Sequence, residues 1–169
     1  MRTFLILMMG VLLMNCNTAT PEIKDQTTTI YFIRHAEKDR SEPGEKNPSL
    51  TEKGLARAKR WSEIFKNITF NAIYSTDYTR TIETASPTAY TNNLDIIKYE
   101  PEELNTIEIF KKGYENVLVV GHSNTVPKLV NKLLKEDRYE DIEDNNNGNV
   151  YIVTLTNQEV VSVNLLTIK

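Results

Sequence analysis

Thiols, imidazoles and indoles are scarce in this chain, with one cysteine, two histidines and one tryptophan among 169 residues. A lone cysteine excludes a disulfide-stapled scaffold and a cysteine-built zinc site. Six glycines and six prolines are too few for collagen-like or Pro/Gly-rich low-complexity sequence. Basic excess is lacking too. The 20 lysines and arginines face 23 aspartates and glutamates, a formal net charge of -3, which argues against nucleic acid as a partner because no cationic surplus is there to displace counterions. Motifs of P-loop, HExxH or GxSxG type are absent. What remains is 40% hydrophobic and 25% charged, enough for one domain with a true core and too short for two ordinary ones.

The first residues are set apart from the domain. The apolar run Thr3 to Met14 is too short to span a bilayer and has the length of a secretory h-region. It ends at the single cysteine, and Leu13-Met14-Asn15-Cys16 resembles a bacterial lipoprotein signal in which the cysteine is acylated and becomes the first mature residue. The competing reading is a plain signal peptide or uncleaved anchor. The expected organisation is a signal peptide over 1–15, a lipidated Cys16 opening a polar tether over 16–27, and a folded domain over 28–169. Such a protein would sit in the cell envelope as a membrane-anchored lipoprotein, periplasmic or on the outer membrane.

From Thr28 onward, short β-branched runs alternate with amphipathic stretches. Thr28 to Ile33, Ala72 to Tyr74, Asp95 to Tyr99 and Val117 to Val120 read as strands. Between them, helices are expected from Ser49 or Thr51 to Lys66, from a Ser75-Thr76-Asp77 cap through Ala85, over Leu104–Tyr114, and from Ser123 or Asn124 through Leu134. The Glu136–Asn149 segment, acidic and Asn-rich, reads as an exposed loop with a solvated face. Tyr151–Leu155 and Val160–Leu166, joined by Thr156-Asn157-Gln158-Glu159, read as an antiparallel hairpin. The predicted class is α/β, a three-layer sandwich with a mainly parallel sheet flanked by helices and a C-terminal antiparallel hairpin. Ligands in such sheets sit beyond the carboxyl ends of the strands.

Both histidines fall there. His35 follows the first strand directly and His122 follows the fourth. Arg34 shares the rim with His35, and Arg80 lies about one turn into the helix after the second strand. Two guanidiniums with two imidazoles and nearby helix N-termini suit a dianionic phosphoryl group. Against this stand surface salt bridging by the arginines, a serine nucleophile at Ser123, and a metal held by the histidines with Glu37 or Asp77.

Ile33-Arg34-His35-Ala36-Glu37, Leu50-Thr51-Glu52-Lys53-Gly54, the stretch Tyr74 to Ala85 and Gly121-His122-Ser123-Asn124 stand in an order that resembles the histidine phosphatase superfamily, of phosphoglycerate-mutase-like fold. The resemblance spans about Thr28 to Leu166. It implies that His35 is the nucleophile and that Arg34, Arg80, His122 and Ser123 hold the phosphoryl group. It also implies that a carboxylate after the third strand, Glu103 ahead of Glu102 and Glu100, protonates the leaving group. No metal or other cofactor is called for. Glu37 and Lys38 are expected to organise the loop. The activity so implied is metal-independent hydrolysis of a phosphorylated small molecule through a phosphohistidine. The alternatives are a protein phosphohistidine phosphatase and a non-catalytic relative that binds phosphorylated ligands.

Overall fold

Strand β4 (Asn116–Gly121) is apolar almost throughout, and strand β1 (Thr27–Arg34) is apolar from Ile30 to Ile33, because each is covered on both faces. Ile30 and Phe32 of β1 and Val117 and Val119 of β4 join one core cluster, while Ile33, Leu118 and Val120 join another on the opposite face. The structure, a computed structural model, describes residues 25–102 and 112–169. Cys16, Glu103 and the body of the helix expected over Leu104–Tyr114 lie outside the described residues.

The sheet has six strands in the order β3-β2-β4-β1-β5-β6. β2 (Ala72–Ser75) and β3 (Ile96–Lys98) run parallel to β4, and β4 parallel to β1. β5 (Asn149–Thr156) pairs antiparallel with β1, and β6 (Glu159–Thr167) antiparallel with β5. The turn of that hairpin is the two residues Asn157 and Gln158, both at positive φ (51° and 72°), a pairing whose twist matches the flanking strands.

Helix α1 (Glu52–Ile64) and helix α2 (Thr79–Asn92) cover the Ile33 face, where Trp61 and Phe65 stack at 5.4 Å and Ala85 and Ala89 let the helix lie close. Helix α3 (Thr125–Leu134) covers the other face through Val126, Leu129 and Val130, with Pro127 in its first turn where a missing N–H costs nothing. Each fully buried Val, Leu or Ile contributes about 1.5–3 kcal/mol.

Two expectations are corrected. Ser75, Thr76 and Asp77 do not cap α2. Tyr78 holds the N-cap position without a side-chain bond, and Asn47 Oδ1 instead accepts from Thr79 N at 2.8 Å. The strand therefore continues through Ser75, and Thr76 and Thr81 are free to bond each other. The Glu136–Asn149 segment is more than a solvated loop. Ile142 is buried in the core, Asn147 and Asn149 are also buried, and Ile142 N donates to Ser123 O at 2.9 Å.

Thr51 caps α1 by accepting from Gly54 N at 3.0 Å, as one of the two expected capping oxygens. Thr51 N also donates to Glu37 O at 2.9 Å. A Cβ on Gly54 would overlap that same carbonyl oxygen, so the glycine is what allows α1 to approach the loop after β1. Gly54→Ala is expected to cost about 1–3 kcal/mol, a fall in Tm of several degrees. Thermal unfolding of the variant measures this, and an unchanged Tm would contradict the close approach.

Candidate active site

Register explains why the two histidines meet. Arg34 of β1 stands opposite Gly121 of β4 in a parallel pair, and His35 N donates to Gly121 O at 2.9 Å. His35 and His122 thus leave adjacent strands at the same height, with ring centroids 5.5 Å apart. β2 flanks β4 on its other side, pairing Ser75 with Val120, so the chain leading to Arg80 emerges at the same edge. Arg80 is the second residue of α2, nearer the helix start than its sequence position implied.

His35 is 4% exposed. Its Nδ1 lies 2.7 Å from the carbonyl oxygen of Ala36, so the ring proton sits on Nδ1 and Nε2 keeps a free lone pair. Burial lowers its pKa to about 3, and the charges of Arg34, His122 and Arg80 push the same way while the bond to Ala36 opposes them. The loop around it is fixed from three directions. Ala36 N donates to Thr84 Oγ1 at 2.9 Å, Leu50 N donates to Glu83 Oε2 at 2.7 Å, and Asn147 Nδ2 donates to His35 O at 2.9 Å.

His122 Nε2 lies 3.1 Å from Thr76 Oγ1, which itself donates to Thr81 Oγ1 at 3.1 Å. Nε2 therefore carries the proton, and Nδ1 accepts the longer contact from Arg80 Nη2 at 3.4 Å. Burial first, then Arg80, Arg34 and Lys38, lower the His122 pKa to about 4. A neutral His122 in this state has no spare N–H. It holds Arg80, a different immediate role from the phosphoryl contact expected of it.

Arg80 also lies over the ring of Tyr78, 4.5 Å from its centroid. Its Nε and Nη1 are buried without partners, and so is Nε of Arg34. Unpaired buried donors are rare and cost about 1–3 kcal/mol each. Arg34 is otherwise held on the loop after α3. Nη1 donates to the carbonyl oxygens of Glu143, Asp144 and Asn146 at 2.9, 3.1 and 3.1 Å, and Nη2 to Asp144 Oδ1 at 3.0 Å. Asp144 Oδ1 and Oδ2 also accept from Arg40 Nη2, at 2.6 and 2.8 Å.

Glu37 organises the loop as expected. Burial alone would raise its pKa, yet the bonds from Arg57 Nε at 2.9 and 3.0 Å, with Lys53 beside them, hold it below the usual carboxylate range. Asp77 pairs with Lys98 at 2.8 Å. Both carboxylates thus face cations, and no group of three His, Cys, Asp or Glu suited to a metal occurs among the described residues. Ser123 O accepts from Ile142 N, and no side-chain hydrogen bond of Ser123 occurs among the described residues. A cleft of about 210 Å³ opens beside His35, lined by Arg34, Lys38, Arg40, Lys53, Asp144 and Asn147 among others. Asn147 and Asp144 carry no motif beyond the turn-forming Asn-Asn-Asn-Gly run that includes Asn147, whereas Thr76 lies in the Tyr74 to Ala85 stretch but reads there only as part of a helix cap.

A family model described as histidine phosphatase superfamily (branch 1) matches residues 30–105, which include Arg34, His35 and Arg80 but not His122. Comparison with the curated proteins gives no match. Among solved structures, the protein histidine phosphatase SixA complexed with tungstate is 15% identical with a TM-score of 0.67, covering 83% of this chain and 97% of its own. Phosphoglycerate mutase from Bacillus anthracis is 16% identical with a TM-score of 0.66, covering 85% and 93%. Alpha-ribazole phosphatase from Shigella flexneri is 12% identical with a TM-score of 0.65, covering 83% and 96%. At these identities the likeness shows the fold.

The lowered histidine pKa values have a pH signature. Below an unfolded pKa near 6.5 the unfolded chain takes up protons that the folded one refuses, so stability present above pH 6.5 is lost as pH falls toward 4 and then 3. At pH 5 His35 alone accounts for a loss of up to about 2 kcal/mol. Imidazole NMR in anion-free buffer is expected to find His35 still neutral, protonated at Nδ1, at pH 5. A midpoint near 6.5 would contradict the structure.

Proposed function

We propose that the chain is a histidine phosphatase that hydrolyses phosphomonoesters without a metal, through a phosphohistidine on His35, a reading supported by the family model that matches residues 30–105. The observation that carries this reading is the set of buried, unpartnered guanidinium donors on Arg80 and Arg34 beside a neutral imidazole whose Nε2 is free. An anion is what such donors lack.

In the first step the Nε2 lone pair of His35 attacks phosphorus in line with the ester oxygen. The N–P bond forms as the P–O bond to the leaving group breaks, and the alkoxide takes a proton from an acid, for which Glu103 remains the proposed donor. The Nδ1 hydrogen stays on the ring, and its bond to the Ala36 carbonyl stabilises the positive charge the ring acquires. In the second step water attacks phosphorus and gives a proton to the Glu103 carboxylate left by the first step, the N–P pair returns to His35, and inorganic phosphate leaves. Arg80 and Arg34 stabilise the charge on the equatorial oxygens in both steps, with Arg34 fixed before substrate arrives by its bonds to the loop after α3. The phosphorylated small molecules named for solved relatives, such as the alpha-ribazole phosphatase, support a ligand of this class. The anchor proposed for the chain is lipid on Cys16, supported by the apolar run before it. Among the described residues no helix is long and apolar enough to cross a membrane.

Hydrolysis of p-nitrophenyl phosphate in EDTA tests the mechanism. Turnover is expected to persist, to fall about 10³-fold or more in His35→Ala, and to fall about 10²–10³-fold in Arg80→Ala. Acid-labile phosphate trapped on His35 is the accompanying signature. Loss of activity in EDTA, or activity that survives His35→Ala, overturns the reading.

For the anchor, Cys16→Ser expressed in a bacterial host is expected to move the protein from the membrane fraction to the soluble or uncleaved form. Intact-mass analysis of the unaltered protein should show an added diacylglycerol or acyl mass at Cys16. An unmodified cysteine in the mature protein would exclude the lipoprotein reading.

A further inference from the structure

The cleft beside His35 carries more positive charge than it neutralises. It has two carboxylates, and both are taken. Glu37 is held by Arg57 at 2.9 Å and Lys53 at 3.4 Å, and Asp144 is shared between Arg34 at 3.0 Å and Arg40 at 2.6 Å. Lys38 lines the same cleft and is half-buried, yet no ion pair with it occurs among the described residues. Its backbone is pinned, because Lys38 forms an isolated antiparallel bridge with Leu50. The ammonium therefore starts from a fixed point and stands in a cationic surround without an anion of its own. Arg80, whose unpartnered donors are assigned to the phosphoryl group that reacts with His35, is not among the residues lining the cleft.

We infer that Lys38 is a specificity-determining residue that selects phosphomonoesters whose leaving portion carries a second anionic group, a carboxylate or another phosphate. The inference rests on the phosphatase reading and names the substrate class of the same site. Cleft size agrees, since about 210 Å³ is below the roughly 300 Å³ at which pockets for larger ligands begin, and admits a small anionic moiety. Electrostatics agree as well. Burial lowers the Lys38 pKa, Arg40, Arg80 and Arg34 push it further, and Asp144 offsets them only in part, so an added anion relieves a standing repulsion.

Two esters that differ by one carboxylate test this, ethyl phosphate and phosphoglycolate, assayed with the full chain in detergent. The unaltered protein is expected to favour phosphoglycolate in kcat/KM by about tenfold, the value of one charge-assisted hydrogen bond. Lys38→Met should bring that ratio close to one, mainly through KM, and Lys38→Arg should restore most of it. A ratio near one in the unaltered protein, or a ratio that Lys38→Met leaves in place, overturns the assignment. If neither ester nor p-nitrophenyl phosphate is hydrolysed, the phosphatase reading itself fails and takes this inference with it.

Discussion

Uncompensated positive charge around one neutral imidazole is the constraint on which the site depends. Arg34, Arg80 and Lys38 all repel a proton on His35 or on its neighbour His122, and both rings are held neutral far below the usual imidazole range. A nucleophile must be unprotonated to attack, and an imidazole of ordinary pKa would spend part of its time as a cation near neutral pH. Burial, reinforced by the crowding of guanidiniums, removes that loss. It also leaves buried donors unsatisfied, a standing destabilisation that the rest of the domain must outweigh. A dianionic phosphoryl group reverses both effects at once, since it satisfies the donors and relieves the repulsion.

The scaffold tolerates this because the charged groups are attached to its stiffest part. β1 and β4 are the central strands, apolar on both faces, and the residues that end them are Arg34 and Gly121. Gly121 has a specific reason to be glycine, since a Cβ there would come within 2.9 Å of the Tyr99 hydroxyl oxygen and 3.1 Å of Thr125 Oγ1. From that edge a shell of neutral polar groups takes over. Thr84 holds Ala36, Asn147 holds His35 and Thr76 holds His122, each by a single bond of 2.9 to 3.1 Å. Threonine and asparagine fit this work because they orient without adding a charge that would compete with the phosphoryl group.

Most of this architecture is legible in sequence wherever a physical period or a motif marks it. Apolar runs identify the strands, and helical spacing at Leu55, Ala58, Trp61 and Phe65 identifies α1, although Leu55 itself turns out to be exposed. The convergence of His35 with His122 follows from strand ends alone. What escapes is contact between segments distant in sequence. The Glu136–Asn149 stretch reads as solvent-facing from its composition, and its side chains at Glu143 and Asp144 are indeed exposed. Its function lies in backbone carbonyls, which have no sequence signature, and these bind Arg34 across more than a hundred residues. Ser75-Thr76-Asp77 has the composition of a helix cap, but Thr76 and Thr81 satisfy each other instead, and Asn47 supplies the acceptor that a local cap would have provided.

The two arginines that sequence treats as equivalent are physically unlike. Arg34 spends Nη1 on three carbonyls and Nη2 on a carboxylate, so its guanidinium is clamped and only Nε is left to meet a ligand. Arg80 is held by one long contact to His122 and by the face of Tyr78, and two of its nitrogens are unspent. A clamped cation cannot follow phosphorus as it moves from the ester oxygen to Nε2, but it supplies a fixed field there without reorganising. A loosely held cation with two free donors can follow the equatorial oxygens through that displacement, and contacts strengthened in the transition state are the ones that accelerate a reaction. In the proposed reaction Arg34 thus adds to the burial that keeps His35 neutral, and Arg80 supplies the hydrogen bonds that change during transfer. His122 belongs with Arg80 in this proposed division, because its Nδ1 accepts from Arg80 Nη2 at 3.4 Å while Nε and Nη1 stay free for a ligand.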